Sequence, residues 1–533
     1  MYMNKFLILS ALLVASCGTT QITKTVPVVT SNPTDLSGDF LYSSSMYGSD
    51  DAGPNANIAV LLPMNGPAKT VGQNIKTSIE TAFLSKPAEN IRVSFYDLSG
   101  EKSRRDLVIR DALNTNPDVI IGPLFAEDAN ELRSAKPSKT PVISFTSDVN
   151  ALGDNLVTMN LIPTQSIETI VRQMQSDGAK TMLVLAPDDN SGKQMAAAAT
   201  KISDAYDMPI NGLFYYKSGN SESIKDVAMR ASMYNARSSA NTRAREVLSD
   251  IINKESVDYT TRKNLENQLE KISRTETLGP VPYDSILFLG SGEDAKTITS
   301  FLRYYGVGNR DAAMYGTTLW HGSDIASDFT MSGAKYATLP PVSDNFVALY
   351  NMVSGKDPDF LAAFGYDAAN LSLGMLYTQK SKDAYLFDPS GYIGTTGMFR
   401  IQPSGESERA LRIMELNGSG EVTESKNAPT NFLVPLYSVN ISDLKTVSEK
   451  ELKTRGINPG DYIKIPEYLR RKSEYKTKTI GANYVSEETT EINDAPIQIY
   501  ASTEKETISS EEFQPVKLEK VSRKYIDSVE VTE

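Results

Sequence analysis

Between Asn57 and about Met414 the chain alternates short, mainly apolar runs with stretches whose apolar residues return at helical spacing. Residues 58–62 are continuously apolar and stop at Pro63. Ile75, Ile79, Ala82 and Phe83 then recur at i, i+4, i+7 and i+8, which is one face of a helix. Residues 93–96, 118–121 and 141–145 predict three more strands, the second of them ended by Gly122-Pro123. Beyond Pro163, the residues Ile167, Ile170, Val171 and Met174 mark a helix, and 181–186 and 286–289 read as buried strands. Ile298, Phe301, Leu302 and Tyr305 mark a further helical face. Strands apolar on both faces, each followed by an amphipathic helix, predict parallel sheets covered on two sides. Two such series, on either side of about residue 160, predict two α/β lobes.

Two regions break the alternation. Residues 232–278 are charged, with Val247 and Ile251, then Leu265, Leu269 and Ile272, at helical spacing. They predict a helical hairpin inserted in the second lobe, with Arg262–Glu266 and Glu270–Arg274 as i,i+4 ion pairs. Such an insertion is either a solvated decoration or a place where a protein partner docks. After about Asn431 the chain becomes rich in Thr, Ser, Glu and Lys. Residues 434–468 are expected to add a strand and a short helix to the body, and 475–533 to be a disordered tail.

The N-terminal apolar run is of another kind. Lys5 precedes about ten apolar residues and then Ser16-Cys17, a run too short to cross the ~30 Å of a bilayer and laid out as a signal peptide. Val14-Ala15-Ser16-Cys17-Gly18 resembles the bacterial lipobox, which implies cleavage before Cys17 and its acylation. Two or more chains, at ~0.8 kcal/mol per buried CH₂, make a stable anchor. The plainer alternative is an ordinary signal peptide with a chance cysteine. Residues 1–16 are therefore expected to be removed, and 17–56, rich in Thr, Ser, Pro, Asp and Gly, to form a lipidated tether. Gly18 after the cysteine, rather than aspartate, implies the outer membrane over the inner by the same resemblance.

Composition narrows the chemistry. A chain of 533 residues with 40% apolar and 23% charged content can bury two cores in a soluble body. Its net charge of −12 argues against a nucleic-acid partner, which would need clustered Lys and Arg. One Cys, one His and one Trp leave too few ligands for a Cys/His metal site, and any histidine-based nucleophilic engine would rest on His321. No catalytic group, metal or cofactor is assigned. Gly290-Ser291-Gly292 fits the letter of a dinucleotide loop, yet Glu293 and Asp294 would repel a pyrophosphate at that helix N-terminus. Ser291 as N-cap, with Asp294 three residues later, explains it better. Ser191-Gly192-Lys193 fails as a phosphate loop, because Pro187 stands at its first glycine position and Gln194 at its hydroxyl.

The segments Asn57-Ile58-Ala59-Val60-Leu61-Leu62-Pro63, Pro117-Asp118-Val119-Ile120-Ile121-Gly122-Pro123 and Pro141-Val142-Ile143-Ser144 resemble the first lobe of type I periplasmic binding proteins. Phe364-Gly365-Tyr366-Asp367-Ala368 and residues 394–400 resemble that family's late signatures. The resemblance implies an α/β fold of two Rossmann-like lobes with parallel sheets, joined by a three-stranded hinge, with a helical insertion and a flexible C-terminal tail. The implied crossings lie near 160, 338 and 393. They give one lobe of 57–160 plus 338–392, another of 161–337 plus 393–430, and a C-terminal extension of 431–533.

In α/β lobes ligands meet the loops at the carboxyl ends of the strands. The cleft candidates are Met64, Phe125, Ser144, Thr146, Ser147, Asp188, Ser191 and Trp320. An amino acid needs donors for its carboxylate and an acid for its ammonium. Amino-acid-binding relatives place a hydroxyl after the Gly-Pro turn, where this chain has Leu124-Phe125-Ala126, and a tyrosine where it has Asp188-Asp189-Asn190-Ser191-Gly192. Ser144, Thr146 and Ser147 keep hydroxyls, which turn chemistry would also explain. Trp320 and His321 are candidates for the cleft mouth, although such a pair more often packs at a strand end. The resemblance implies one of two partners. A penicillin-binding protein activator binds a bifunctional penicillin-binding protein; a solute receptor serves an ABC transporter permease. The eroded donors favour the activator.

Overall fold

The computed structural model describes residues 32–36, 56–85, 90–136, 139–438 and 462–466. The expected signal peptide, Cys17 and the tail after 475 lie outside the described residues.

A short strand β1 (Thr34–Asp35) comes first. The first lobe follows as β2 (Ala56–Leu62), α1 (Lys69–Ser85), β3 (Ile91–Asp97), α2 (Lys102–Asn114), β4 (Val119–Ile121), α3 (Ala126–Ala135), β5 (Val142–Ser144) and β6 (Leu156–Thr158). Its strands are parallel in the order β3-β2-β4-β5-β6. The unbroken apolar run of β2 has a direct cause. Ile58, Val60 and Leu62 enter one core with Ile75 and Ile79, while Ala59 and Leu61 enter another with Ile109 and Leu132. Both faces of the sheet are covered, so neither can be polar.

The second lobe is α4 (Pro163–Ser176), β7 (Met182–Pro187), α5 (Asn190–Ala205), β8 (Ile210–Tyr216), α6 (Ser221–Ala231), α7 (Tyr234–Ile252), α8 (Tyr259–Ser273), β9 (Ser285–Phe288), α9 (Gly292–Tyr304), β10 (Ala313–Gly316) and β11 (Lys335–Thr338). The chain then returns to pack α10 (Asp344–Ser354) and α11 (Phe360–Tyr377) on α1, and continues through α12 (Lys382–Leu386) to β12 (Tyr392–Gly394). After β13 (Gly397–Ile401) and β14 (Ser407–Arg409) it adds β15 (Arg412–Leu416) and β16 (Val422–Lys426) to the second lobe, and β17 (Tyr462–Ile463) closes the opposite edge. That sheet has the order β16-β15-β11-β10-β9-β7-β8-β17, with its five central strands parallel and the outer three antiparallel.

Glycine sets the same close approach in both lobes. A Cβ on Gly72 would overlap the Pro63 carbonyl oxygen, and one on Gly192 would overlap that of Pro187. Each lobe thus brings the helix that follows its first strand onto the end of that strand, which only a bare backbone permits.

The helices α7 and α8 pack on each other through Leu248, Ile251, Leu265 and Ile272. Arg237 roots the pair by donating to the carbonyls of Gly279 (2.7 Å), Ser232 (3.1 Å) and Gly306 (3.1 Å). Glu270 and Arg274 do pair, at 2.8 Å on an exposed surface. Arg262 does not turn to Glu266. Its guanidinium donates to the carbonyls of Ile252 (2.6 Å) and Lys254 (3.1 Å), because the end of α7 leaves acceptors unpaired there.

Two segments depart from the expected layout. Within the stretch read as tether, β1 pairs in parallel with β12, and Leu36 is buried in the main core. The backbone edge of β12 and a gap for one leucine outweigh the polar composition around them. Residues 397–409, expected in the second lobe, instead join β12 and β1 in a four-stranded sheet of order β1-β12-β13-β14, placed beside β6 by the Thr158 N–H donating to Gly405 O at 2.8 Å. In the C-terminal extension, where 434–468 are expected to add a strand and a short helix, β17 pairs with β8, and residues 439–461 lie outside the described residues.

Candidate binding cleft and its hinge

The loops at the carboxyl ends of the strands carry the candidate residues of each lobe. After β2, the Met64 N–H donates to Asp97 Oδ1 at 2.9 Å and Asn65 Nδ2 to Asp97 Oδ2 at 2.9 Å, with the Ser99 hydroxyl also donating to this carboxylate. Burial opposes ionisation of Asp97, but the hydrogen bonds from Ser99, Met64 and Asn65 outweigh it and hold the carboxyl well below its usual range. Asp97 is therefore a fastening for the Met64 loop.

After β4, Gly122 takes φ +97°, and Phe125 stands exposed before the first turn of α3. At the end of β5 and just beyond it the hydroxyls are largely committed to the fold. Buried Ser144 donates to Val157 O at 2.8 Å, and buried Thr146 accepts from the Asp148 N–H at 3.1 Å. Ser147 is exposed. In the second lobe, Asp188 is exposed and pairs with Lys193 at 2.8 Å. Ser191 is exposed in the first turn of α5, whose N-cap Asp189 accepts from the Gly192 N–H at 2.7 Å.

Trp320 is not at the cleft mouth. It is buried in the second core, with ring centroids 5.6 Å from Phe288 and 6.2 Å from Tyr336. The indole lies over Gly316, where any side chain would overlap it. Its neighbour His321 turns the other way and stacks on Phe360 of α11, with centroids 4.9 Å apart and planes at 27°. This contact joins a second-lobe loop to a first-lobe helix. Loss of solvent on the stacked face, with Arg412 second, pushes the His321 pKa below its ordinary value.

The hinge sheet carries charges that the sequence reading missed. On its inner face Arg409 is fully buried and donates to Met159 O from Nε (3.1 Å) and Nη2 (2.6 Å) and to Thr396 Oγ1 at 3.2 Å. Its guanidinium lies 4.0 Å from the Phe364 ring centroid and 4.9 Å from that of Phe399. Burial lowers the Arg409 pKa to about 10, with Asp367 opposing, so it remains charged near neutrality. Asp367, from the late signature, accepts the Thr395 N–H at 2.9 Å and fixes the turn between β12 and β13.

On the outer face Arg400 and Glu408 form a buried pair at 2.7 Å. Residues 431–438 lie across it. The Phe432 ring sits 4.7 Å from the Arg400 guanidinium, the Leu436 N–H donates to Glu408 Oε1 at 3.0 Å, and Tyr437 Oη donates to Arg409 O at 2.6 Å. The same segment reaches α4, where Arg172 donates to Leu436 O and the Ser438 N–H to Glu168. The available signal was a charged residue inside the apolar run 398–401, matched by Glu408 and Arg409 in the next strand.

Two α/β lobes joined by three crossings of the chain are the architecture of the periplasmic binding proteins, and the pattern of that family matches residues 55–384: the chain belongs to it. The penicillin-binding protein activator LpoA of Pasteurella multocida (strain Pm70) is 24% identical over 170 residues, covering 31% of this chain and 27% of that protein. The activator LpoA of Histophilus somni (strain 129Pt) is 26% identical over 146 residues, 27% of this chain and 24% of that protein. The chain thus matches about a quarter of the length of these relatives. A putative branched-chain amino acid ABC transporter from Rhodospirillum rubrum superposes with a TM-score of 0.52 at 16% identity, over 69% of this chain and 99% of the other. That likeness is one of fold.

Proposed function

We propose that this chain is a lipid-anchored envelope protein, held by Cys17 at the outer membrane, that binds and activates a bifunctional penicillin-binding protein. The observation that carries the reading is the stretch of similarity to two proteins named as penicillin-binding protein activators. The cleft supports it. Of the three hydroxyls kept at the end of β5 and just beyond it, Ser144 and Thr146 serve the fold, and Phe125 stands where an α-carboxylate would need a donor. Activation would be allosteric, since a binding surface changes a synthase only by differential contact with its active and inactive states.

The test is glycan polymerisation and peptide cross-linking by purified bifunctional synthases from the same envelope, with and without the full chain. A rise in either rate supports the reading; no change with any of them, together with no co-purification, defeats it. The solute-receptor reading keeps one support, the exposed Ser147. Thermal shift against amino acids and their amides separates the two. A true ligand at 100 times its Kd adds about 2.7 kcal/mol of stability.

A further inference from the structure

The outer face of the hinge sheet points to a second interaction. Cross-strand register puts Asp35, Ile393 and Met398 side by side on this face, with Arg400 and Glu408 next along it. Segment 431–438 covers the middle, and Phe432, Leu436 and Tyr437 are buried with Met398 beneath it. Between those buried residues, Leu433 and Val434 are 64% and 70% exposed, and Ile393 beside the segment is 38% exposed. Two aliphatic side chains therefore meet water on a segment whose neighbours are docked, and a third meets it on the adjoining strand β12. The charges beneath them, Arg400 and Glu408, neutralise each other.

The chain itself indicates what lies against this face. The Thr34 N–H donates to Gly391 O at 3.0 Å and the Leu36 N–H to Ile393 O at 2.9 Å, so the N-terminal segment enters the body along the edge of β12. Sixteen residues, 18–33, separate that edge from Cys17. Even fully extended, they reach no farther than roughly 60 Å. We infer that the outer hinge face, through Leu433, Val434 and Ile393, rests on the lipid surface that holds Cys17. The inference depends on acylation of Cys17. Because the contacting groups are aliphatic and the Arg400–Glu408 pair beneath them is internally neutral, the contact draws its strength from apolar burial and not from anionic lipid.

The test uses the full, membrane-extracted chain in phosphatidylethanolamine/phosphatidylglycerol vesicles, with a dye on Val434→Cys or on Tyr259→Cys. Tyr259 is 77% exposed on α8 and serves as the control position. Spin-labelled lipid is expected to quench position 434 at least about threefold more than position 259, at low and high salt alike. Equal quenching at both, with mass spectrometry finding acyl chains on Cys17, overturns the contact and leaves the anchor standing. Shielding of 434 from a water-borne quencher without lipid quenching means that protein covers it, and also overturns the contact. Absence of acyl chains on Cys17 overturns the anchor and this inference together. Leu433→Ser/Val434→Ser, two changes at exposed positions, should reduce vesicle-induced hydrogen-exchange protection of residues 432–436 while leaving the thermal midpoint unchanged.

Discussion

Removing the Glu408 carboxylate should unfasten the hinge. In Glu408→Ala the Arg400 guanidinium loses its 2.7 Å partner in a place where both side chains are about 95% buried, and the Leu436 N–H loses its 3.0 Å acceptor. Breaking a buried pair from one side costs about 3–5 kcal/mol, because the remaining charge stays desolvated. The orphaned amide adds about 1 kcal/mol, unless residues 431–438 peel away and give it water. Urea unfolding followed by Trp320 emission and far-ultraviolet circular dichroism reads the loss, provided the slope is unchanged and the two probes coincide. Hydrogen exchange at 432–437 reads the peeling. Arg400→Met/Glu408→Leu supplies the control, since replacing both charges by apolar groups should recover most of the loss. A single-variant loss below about 1 kcal/mol, or a double variant as unstable as the single, would refute the reasoning.

Two further outcomes follow from the same structure. His321 has a folded pKa below the unfolded ~6.5, so the unfolded chain binds the extra proton first, and stability falls as pH drops below ~6.5 until the folded pKa is passed. Denaturation midpoints of wild type and His321→Phe between pH 5 and 8 check this; a slope that survives the substitution belongs to another group. Gly316→Ala should destabilise by about 1–3 kcal/mol and shift Trp320 emission, because a methyl there overlaps the indole. An unchanged emission spectrum would show that the indole has room to move.

The strands and helices of both lobes were legible because burial on both faces writes itself as runs such as 58–62 and as periodic faces such as Ile167, Ile170, Val171 and Met174. The insertion was legible for the same reason, since α7 and α8 must cover their own small core. The cleft was legible only as a set of loops. Whether Ser144 offers its hydroxyl to a ligand or to Val157, and whether Trp320 faces the cleft or the core, depends on neighbours 13 residues away in one case and on a bare Gly316 in the other.

What the sequence by itself determined is the alternation of buried strand and amphipathic helix, hence two α/β lobes, together with a chemical inventory too poor in Cys and His for a metal site built on them. Tertiary structure alone decided the hinge. Residues 34–36 and 431–438 have no period and an undistinguished composition, and each gains its place from a partner distant in the chain: the open edge of β12 for one, and the Arg400–Glu408 pair for the other. Periodicity records which face of an element is buried. It carries no trace of a backbone edge or a buried charge more than twenty residues away that waits for a donor.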